Sequence, residues 1–251
     1  MSIRLLRKTI RRLILESNST VGFKMIFLAG LPGGGKSTLV RQLGIEDQFT
    51  NCNIDNFYED KLVPELGTAD LAQVEDDYFK LDDKRKAALE GKGPDLSSAE
   101  RTEYERLKDI RSRAQSMFQG AIGQFKDQVT EVCQIGSNFI IDGTASNVKK
   151  ILEDKERFES MGYSCAMIFV DIDVNTSVER NVSRGKSGGR SIANHIIRRQ
   201  GKSMEGNIEP YANAFGSNFF LVSNRGTMED YTEAIEDIRD GVDDFMMSGP
   251  Q

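Results

Sequence analysis

The stretch that decides the fold is Gly30-Leu-Pro-Gly-Gly-Gly-Lys36-Ser37, which has the pattern of a phosphate-binding loop. The apolar run Lys24–Ala29 stands directly before it, and Ser37–Leu43 follows without a helix breaker and ends at Gly44. A short apolar run before a glycine-rich turn is typical of a strand buried on both faces, and a glycine often ends a helix. This order of strand, loop and helix predicts an α/β protein that binds a nucleotide.

The chemistry of a triphosphate accounts for the composition of the loop. Backbone amides at the positive end of a helix can hold the anion, and they approach it closely where side chains are absent. The lysine then neutralises phosphates, and the serine hydroxyl is a ligand for Mg²⁺. We expect ATP or GTP, with Mg²⁺, to bind through Gly30, Gly33, Gly34, Gly35, Lys36, Ser37 and Thr38. The alternative, a glycine-rich turn without a ligand, leaves the lysine unexplained.

Further strands and helices are predicted along the chain. Strands are expected to end at Cys52-Asn-Ile-Asp55 and to span Asn138–Asp142, Ala166–Asp171 and Phe219–Ser223, with helices at Ser146–Met161, from Asn175 to Arg184 and at Met228–Met247. Strands that alternate with helices predict a parallel sheet with helices on both faces.

Between about residues 60 and 135 the sequence becomes rich in charged residues. A break at Gly91–Asp95 divides this region, and Ser97 with Glu100 has the pattern of a capping box that opens a long helix. We predict a helical insertion in the nucleotide-binding domain. Its charges are interpreted as solvated helix faces rather than as a binding surface.

Residues 1–17 form a basic N-terminal arm. Apolar residues recur there at helical spacing among five Lys or Arg and one Glu, which predicts an amphipathic helix. Such an arm is a candidate contact for a protein or a nucleic acid. The alternatives are a helix packed on its own domain and a mobile tail. In addition, Ile14-Leu15-Glu16 resembles the cleavage signal of tailed-phage prohead proteases, which would make the arm removable and the chain phage-encoded, acting in the host cytoplasm or packaged.

Composition excludes several classes of protein. No window approaches the roughly 20 apolar residues of a membrane span, so we expect none. Cys52, Cys133 and Cys165 are widely spaced and form no Cys-x-x-Cys pair, which predicts a reducing compartment, the cytoplasm. His195 is the sole histidine, so catalysis must use carboxylates, lysine and arginine, and no zinc site is expected.

Two aspartates, Asp55 and Asp142, stand at the ends of predicted strands. In an open parallel sheet, ligands bind beyond the carboxyl ends of the strands, so both aspartates are expected to face the phosphates. A kinase needs a carboxylate to take the proton of the attacking hydroxyl. Either aspartate could do this, or one could hold Mg²⁺, as we predict for Asp142 with Ser37. The alternative for each is an aspartate that caps a helix or turn.

Arg180 and Arg184 are four residues apart, on one face of a predicted helix, before a glycine-rich stretch that contains Arg190. Arginines on a closing lid, at about residues 184–205, would stabilise the charge that spreads over a transferring phosphoryl group. The alternative is a solvated basic face. We predict that Lys36, Arg180 and Arg184 are catalytic and that Arg190 contacts the nucleotide.

With these features in place, the sequence resembles the P-loop kinases that include the zeta toxins and the kinase domain of bacteriophage polynucleotide kinase. The matching stretches are Ile26–Thr38, Asn53–Tyr58, Ile141–Thr144 and Arg180–Gly185. The resemblance implies a three-layer α/β kinase domain over residues 24–251, with a five-stranded parallel sheet and the first strand at its centre.

The resemblance also implies roles for residues. Asp55 would be the general base, Asp142 and Thr144 would help to hold the acceptor, and Arg180 and Arg184 would contact the phosphates. Zeta toxins phosphorylate an activated amino sugar nucleotide, and polynucleotide kinase phosphorylates a nucleic-acid 5′-hydroxyl. Since zeta toxins have a glutamate where Asp142 stands, the acceptor stays open among a small molecule, a nucleotide, a sugar nucleotide and a nucleic-acid end.

The expected activity is therefore an ATP-dependent kinase with a hydroxyl acceptor. A growth-inhibiting toxin would be one biological role of that activity. The alternative is an NTP-binding switch or assembly factor, in which the nucleotide state controls the lid and the arm binds a partner.

Overall fold

A computed structural model describes residues 22–249 of the chain, so the predicted arm lies outside the described residues. The chain forms two compact units. Unit 1 comprises residues 22–52, 128–173 and 200–249 of the described chain, and unit 2 comprises residues 53–127 and 174–199.

Unit 1 is built on a sheet of five parallel strands in the order β2-β3-β1-β4-β5. The strands are β1 Lys24–Gly30, β2 Thr50–Cys52, β3 Phe139–Gly143, β4 Ser164–Asp171 and β5 Phe219–Ser223. The predicted five-stranded parallel sheet with the first strand at its centre is confirmed. Every residue of β1 is buried, as expected for a central strand of a sheet that is covered on both faces.

Ten α-helices lie within residues 22–249. They are α1 Lys36–Leu43, α2 Glu59–Leu66, α3 Leu71–Leu89, α4 Ser98–Ile135, α5 Val148–Ser160, α6 Val174–Lys186, α7 Asn194–Glu205, α8 Ile208–Phe215, α9 Met228–Asp237 and α10 Arg239–Met247. None of these helices is long and apolar enough to cross a membrane. The segment expected to form a helical insertion contains α2, α3 and α4.

Local signals set several helix ends. The capping box at the start of α4 is confirmed, because the amide of Ser97 donates to Glu100 Oε2 at 2.8 Å and the amide of Glu100 donates to Ser97 Oγ at 3.3 Å. Gly44 ends α1 with φ of 71°, in the left-handed region that glycine adopts without steric penalty.

The prediction of one closing helix over Met228–Met247 is wrong, since α9 and α10 are separate and divided at Ile238. Just after the break, Arg239 donates to the carbonyl of Gln42 at 2.9 Å, in the last turn of α1. This contact joins residues 197 positions apart in sequence, so no local pattern reveals it.

The predicted strand end at Asp55 is also wrong. The strand β2 ends at Cys52, and Ile54–Phe57 form one turn of 3-10 helix. Asn53 causes the early end, because its side chain accepts a hydrogen bond from the amide of Asp55 at 2.9 Å. Such a turn takes the amide away from the strand ladder.

Each unit has its own apolar core. In unit 1, Ile26 and Leu28 point to one face of the sheet, where the side chains of α1, α9 and α10 cover them. Phe27 alternates to the other face and packs edge-on against Phe215, with ring centroids 5.7 Å apart. The core of unit 2 includes Tyr58, Leu62, Leu66, Ala69, Val74, Leu107, Ile110 and Ala121.

The first residue of β1, Lys24, is fully buried. Its Nζ donates to the carbonyl and the hydroxyl of Ser248, at 2.7 and 2.9 Å, and lies 4.9 Å from the centroid of the Phe245 ring. Burial lowers the pKa of Lys24 from 10.5 to about 8, because the apolar surroundings disfavour the ammonium form.

This buried lysine predicts a rise in stability at alkaline pH. Between pH 8 and 10.5 the unfolded chain keeps a proton on Lys24 that the folded chain has released, so the free energy of unfolding rises with pH across that window. At about 1.4 kcal/mol per pKa unit, the rise is on the order of 3 kcal/mol. We expect Lys24→Met to remove it, as measured by urea unfolding at several pH values.

The matched control is Lys149→Met, because the Lys149 side chain is 87% exposed. Tyrosines and cysteines of the unfolded chain also lose protons in this window, so the difference between variants is the informative quantity. Equal pH dependence in Lys24→Met and Lys149→Met would contradict the prediction.

Candidate active site

The glycine-rich loop connects β1 to α1 in unit 1. Leu31, Pro32, Gly33 and Gly34 form a tight turn in which the amide of Gly34 donates to the carbonyl of Leu31 at 3.0 Å. Proline at the second position and glycine at the third, here with φ of 71°, are the signature of a type II turn. The loop is therefore shaped by its own sequence as far as Gly34.

Two side chains from the C-terminal part of unit 1 hold the rest of the loop. Asn224 Nδ2 donates to the carbonyl of Gly34 at 2.7 Å, and the hydroxyl of Tyr231 donates to the carbonyl of Gly35 at 3.0 Å. In a planar trans peptide the carbonyl and the next amide point in opposite directions. Fixing these two carbonyls therefore turns the amides of Gly35 and Lys36 away from Asn224 and Tyr231.

Those amides lie at the N-terminus of α1, where no side chain forms a capping hydrogen bond. The first amides of a helix have no partner within the helix, and the helix dipole makes this end positive. Ser37 and Thr38 belong to the same first turn, and Ser37 is exposed. The arrangement is suited to an anion such as a phosphate group.

The amine of Lys36 lies back against the loop. Its Nζ donates to the carbonyl of Gly30 at 2.9 Å and lies 3.7 Å from Asp142 Oδ1. Asp142 occupies β3 opposite Leu28 of β1, so the sheet register places the carboxylate beside the loop. The structure thus brings together two residues that the sequence placed 106 positions apart.

The donor set around the loop fits Mg²⁺. Among residues 22–249, no cluster of three or more His, Cys, Asp or Glu residues could hold a metal ion. Mg²⁺ in phosphoryl-transfer sites is held by one or two protein oxygens together with phosphates and water, so it does not need such a cluster. The hydroxyl of Ser37 and the carboxylate of Asp142 are oxygen donors of the required kind.

The chain after Asp142 turns sharply before α5. Thr144 lies in this turn, and its hydroxyl donates to Ser146 Oγ at 3.4 Å. Both residues are half-buried in unit 1. The predicted acceptor residues Asp142 and Thr144 therefore lie in one short segment.

Asp55 and the predicted arginines belong to unit 2. The guanidinium of Arg190 donates from Nη1 to Asp55 Oδ2 at 2.6 Å and lies over the ring of Tyr58, 4.9 Å from its centroid. Burial raises the pKa of the Tyr58 hydroxyl. The Nε–H of Arg190 is buried and has no acceptor among the described residues.

Arg180 and Arg184 both lie on α6, as predicted. Arg184 forms an ion pair with Glu59, and the other contact of that carboxylate is the amide of Arg190, at 3.2 Å. Two predicted arginines thus meet carboxylates within unit 2, Arg184 with Glu59 and Arg190 with Asp55.

The glycine-rich stretch after α6 is followed by residues whose positions are fixed by hydrogen bonds. Asn181 of α6 is buried and makes two hydrogen bonds to the backbone of Ile192, both of 2.8 Å. The hydroxyl of Ser191 donates to Asp70 Oδ1 at 2.5 Å and accepts from the amide of Ala72. The lid over residues 184–205 stays a prediction, and residues 191 and 192 are fixed points within unit 2.

Sequence reasoning missed Asn224, Tyr231, Tyr58 and Glu59. Asn224 and Tyr231 are 190 and 196 residues from the loop glycines that they contact, so no spacing pattern could link them. Tyr58 and Glu59 lie three and four residues after Asp55. Their closeness in sequence to the predicted base could have marked them as candidate neighbours of the arginines.

Comparison with known proteins gives a family and a fold. A family model described as AAA domain matches residues 25–210. No curated protein matches the chain. A candidate kinase from Chloroflexus aurantiacus j-10-fl is 15% identical, with a TM-score of 0.51, over 92% of this chain and 100% of that chain. This likeness shows the α/β fold of P-loop kinases.

Two other solved structures are similar. In the Pnkp1/Rnl/Hen1 RNA repair complex, one chain is 20% identical, with a TM-score of 0.45, over 78% of this chain and 48% of that chain. In the PezAT chromosomal toxin–antitoxin system of Streptococcus pneumoniae, one chain is 12% identical, with a TM-score of 0.45, over 99% of this chain and 98% of that chain.

The packing around Gly35 predicts a specific loss of nucleotide affinity. Its φ is 90°, and a Cβ there would lie 2.9 Å from both Asn224 Nδ2 and Tyr231 Cε1. We expect Gly35→Ala to displace both side chains and to weaken ATP binding about tenfold or more, since each lost hydrogen bond is worth about 1 kcal/mol. Isothermal titration calorimetry with ATP and Mg²⁺ measures the change.

Gly44→Ala is the control. Gly44 has φ of 71°, and a Cβ there meets nothing within 4 Å, so the variant carries the backbone strain without the collision. It should lose about 1 kcal/mol of stability and keep its affinity for ATP. Similar affinities in Gly35→Ala and wild type would refute the role assigned to this packing.

Proposed function

The chain belongs to the AAA domain family, and from that premise we propose that it is an ATP-dependent kinase that transfers the γ-phosphoryl group to a hydroxyl. The observation that carries the proposal is the uncapped N-terminus of α1 beside the Lys36 amine, which lies 3.7 Å from the Asp142 carboxylate. An anion site, a cation and a carboxylate in one place are what phosphoryl transfer requires.

In this proposal the loop binds the phosphates of ATP. The amides of Gly35 and Lys36 point away from Asn224 and Tyr231 and donate to phosphate oxygens. Lys36 leaves the carbonyl of Gly30 and pairs with the phosphates, where the charge attraction is stronger than the hydrogen bond it gives up. Ser37 and Asp142 would hold Mg²⁺, which when bound neutralises phosphate charge.

Asp55 is proposed as the general base. It takes the proton of the acceptor hydroxyl as the new oxygen–phosphorus bond forms and the bond to the β-phosphate oxygen breaks, so that ADP leaves. Arg190 holds one oxygen of Asp55 and keeps the carboxylate oriented. Arg190 is also proposed to contact the nucleotide. Arg180 and Arg184 are proposed to stabilise the transferring charge.

The acceptor is proposed to be a hydroxyl of a small molecule, nucleotide, sugar nucleotide or nucleic-acid end, held with the help of Asp142 and Thr144. We propose the cytoplasm as the place of reaction. The three free thiols of Cys52, Cys133 and Cys165 support a reducing compartment.

Transfer of labelled phosphate tests the proposal. The protein is incubated with [γ-³²P]ATP, Mg²⁺ and a panel of nucleosides, oligonucleotides and sugar nucleotides, and the products are separated by chromatography. At least one acceptor should become labelled. Lys36→Ala and Asp55→Asn should each lower the rate about 100-fold or more, because the first loses the cation and the second cannot accept a proton.

The asparagine of Asp55→Asn keeps an oxygen that can accept from Arg190, so the variant removes the basic, charged carboxylate and retains a hydrogen-bond acceptor in its place. Asp83→Asn, at an exposed position of α3, is the matched control and should transfer at the wild-type rate. If no acceptor is labelled and Asp55→Asn leaves ATP hydrolysis unchanged, the kinase proposal fails. ATP binding without transfer would instead favour a nucleotide-dependent switch.

A further inference from the structure

The turn between β3 and α5 contains an unusual backbone conformation. Ala145 has φ of 50°, and it is the sole non-glycine residue with positive φ among residues 22–249. An alanine rarely adopts the left-handed region, because its Cβ crowds the backbone. Such a conformation persists where surrounding contacts enforce it, and it is a starting point for a functional hypothesis.

Side chains of unit 1 supply those contacts. The hydroxyl of Tyr211 donates to the carbonyl of Ala145 at 2.7 Å. Asn207 Nδ2 donates to the carbonyls of Ala145 and Ser146, at 3.3 and 3.2 Å, and Ser203 Oγ donates to the latter at 3.3 Å. Two consecutive carbonyls of the turn are thus fixed by donors from α7, α8 and the residue before α8.

Tyr211 is the rigid member of this set. It is fully buried, and its ring lies between Phe169 and Phe215, with centroids 6.3 and 6.4 Å away. Burial raises the pKa of Tyr211 to about 12, so the hydroxyl keeps its proton at neutral pH and can always donate. A buried hydroxyl that lost Ala145 would have to be re-partnered, which keeps the pair together.

The conformation of Ala145 decides where its neighbours lie. Thr144 directly precedes it, and Asp142 is three residues earlier on β3, 3.7 Å from the Lys36 amine. The dihedral angles of Ala145 set where Ser146 lies relative to Thr144, and Ser146 Oγ accepts from the Thr144 hydroxyl at 3.4 Å.

We propose that Tyr211, assisted by Asn207, is a positioning residue for the acceptor site. By holding Ala145 in the left-handed conformation it keeps Ser146 where its hydroxyl orients the hydroxyl of Thr144 for the acceptor. The inference rests on the proposed kinase function. A glycine at position 145 would adopt the left-handed conformation without steric penalty. Because the residue is alanine, this conformation of the turn depends on the hydrogen bond from Tyr211.

A spectroscopic experiment tests the geometry without any acceptor. A residue with positive φ has a short distance between its own amide and α protons, which gives a strong intraresidue NOE. We expect this NOE at Ala145 in the wild type and a weaker one in Tyr211→Phe. The matched control is Tyr163→Phe, since Tyr163 is another buried tyrosine of unit 1 whose hydroxyl donates to a backbone carbonyl, that of Ser137 at 3.1 Å.

Steady-state kinetics tests the effect on transfer. With [γ-³²P]ATP and the acceptor that the wild type phosphorylates from the panel above, Tyr211→Phe should lower kcat about 10- to 100-fold, as a small misplacement of a reacting group does. The KM for ATP should stay within about twofold of wild type. Tyr163→Phe should change neither constant. Circular dichroism at the assay temperature confirms that each variant is folded.

Rescue distinguishes positioning from general destabilisation. Adding Ala145→Gly to Tyr211→Phe should restore most of kcat, because glycine takes the required conformation by itself. Equal kcat in Tyr211→Phe and Tyr163→Phe, or an unchanged NOE at Ala145 in Tyr211→Phe, would overturn the inference. If the wild type labels no acceptor, the kinase proposal fails, and the NOE comparison still decides whether Tyr211 sets the turn.

Discussion

The hydrogen bonds from Asn224 and Tyr231 to the carbonyls of Gly34 and Gly35 are the interactions on which the candidate site depends. The glycines make the loop flexible enough to adopt its shape, but flexibility does not choose the direction of an amide. Asn224 fixes the carbonyl of Gly34, and Tyr231 reinforces the hydrogen bond that the amide of Leu39 makes to the carbonyl of Gly35, so each following N–H is turned the other way. They are buried, at 3% and 1% exposure, so their donors would be left unsatisfied if the loop moved.

The arginines of unit 2 show why a charged motif needs its partners before it can be interpreted. From the sequence, Arg184 and Arg190 were predicted to contact the phosphates of a nucleotide. In the structure each has a carboxylate, Glu59 or Asp55, and the pairs are partly shielded from water. An arginine that is already paired with a carboxylate is partly desolvated before any further anion binds, which reduces the desolvation that such binding would require.

Much of the fold was predictable because its signals are local. The apolar runs of β1, β3, β4 and β5, the capping box of α4 and the glycine at the end of α1 all act within a few residues of chain. The prediction was wrong at Asp55, where the Asn53 side chain ends the strand early, and at Ile238, where Arg239 contacts α1. At the first place a local side-chain hydrogen bond overrides the periodic pattern, and at the second the break coincides with a contact to a helix distant in sequence.

The closeness of Lys36 and Asp142 could be predicted from the sequence. The side chains that hydrogen-bond to the loop and to the turn after β3 could not. Lys36 and Asp142 were chosen by residue type and strand position, and the sheet register brings them together. Asn224, Tyr231 and Tyr211 belong to no motif. Each donates a hydrogen bond to a backbone carbonyl that is distant in sequence, so these contacts can be recognised only in the folded chain.

The distance in sequence between the loop and the residues Asn224 and Tyr231 also determines the order in which they are synthesised. A ribosome that has completed the first 200 residues has made the whole glycine-rich loop but neither Asn224 nor Tyr231. During synthesis the nascent chain therefore carries a loop that lacks the side-chain donors to Gly34 and Gly35, next to a sheet that lacks β5. The loop therefore gains these two contacts only after the chain has been made through β5 and into α9.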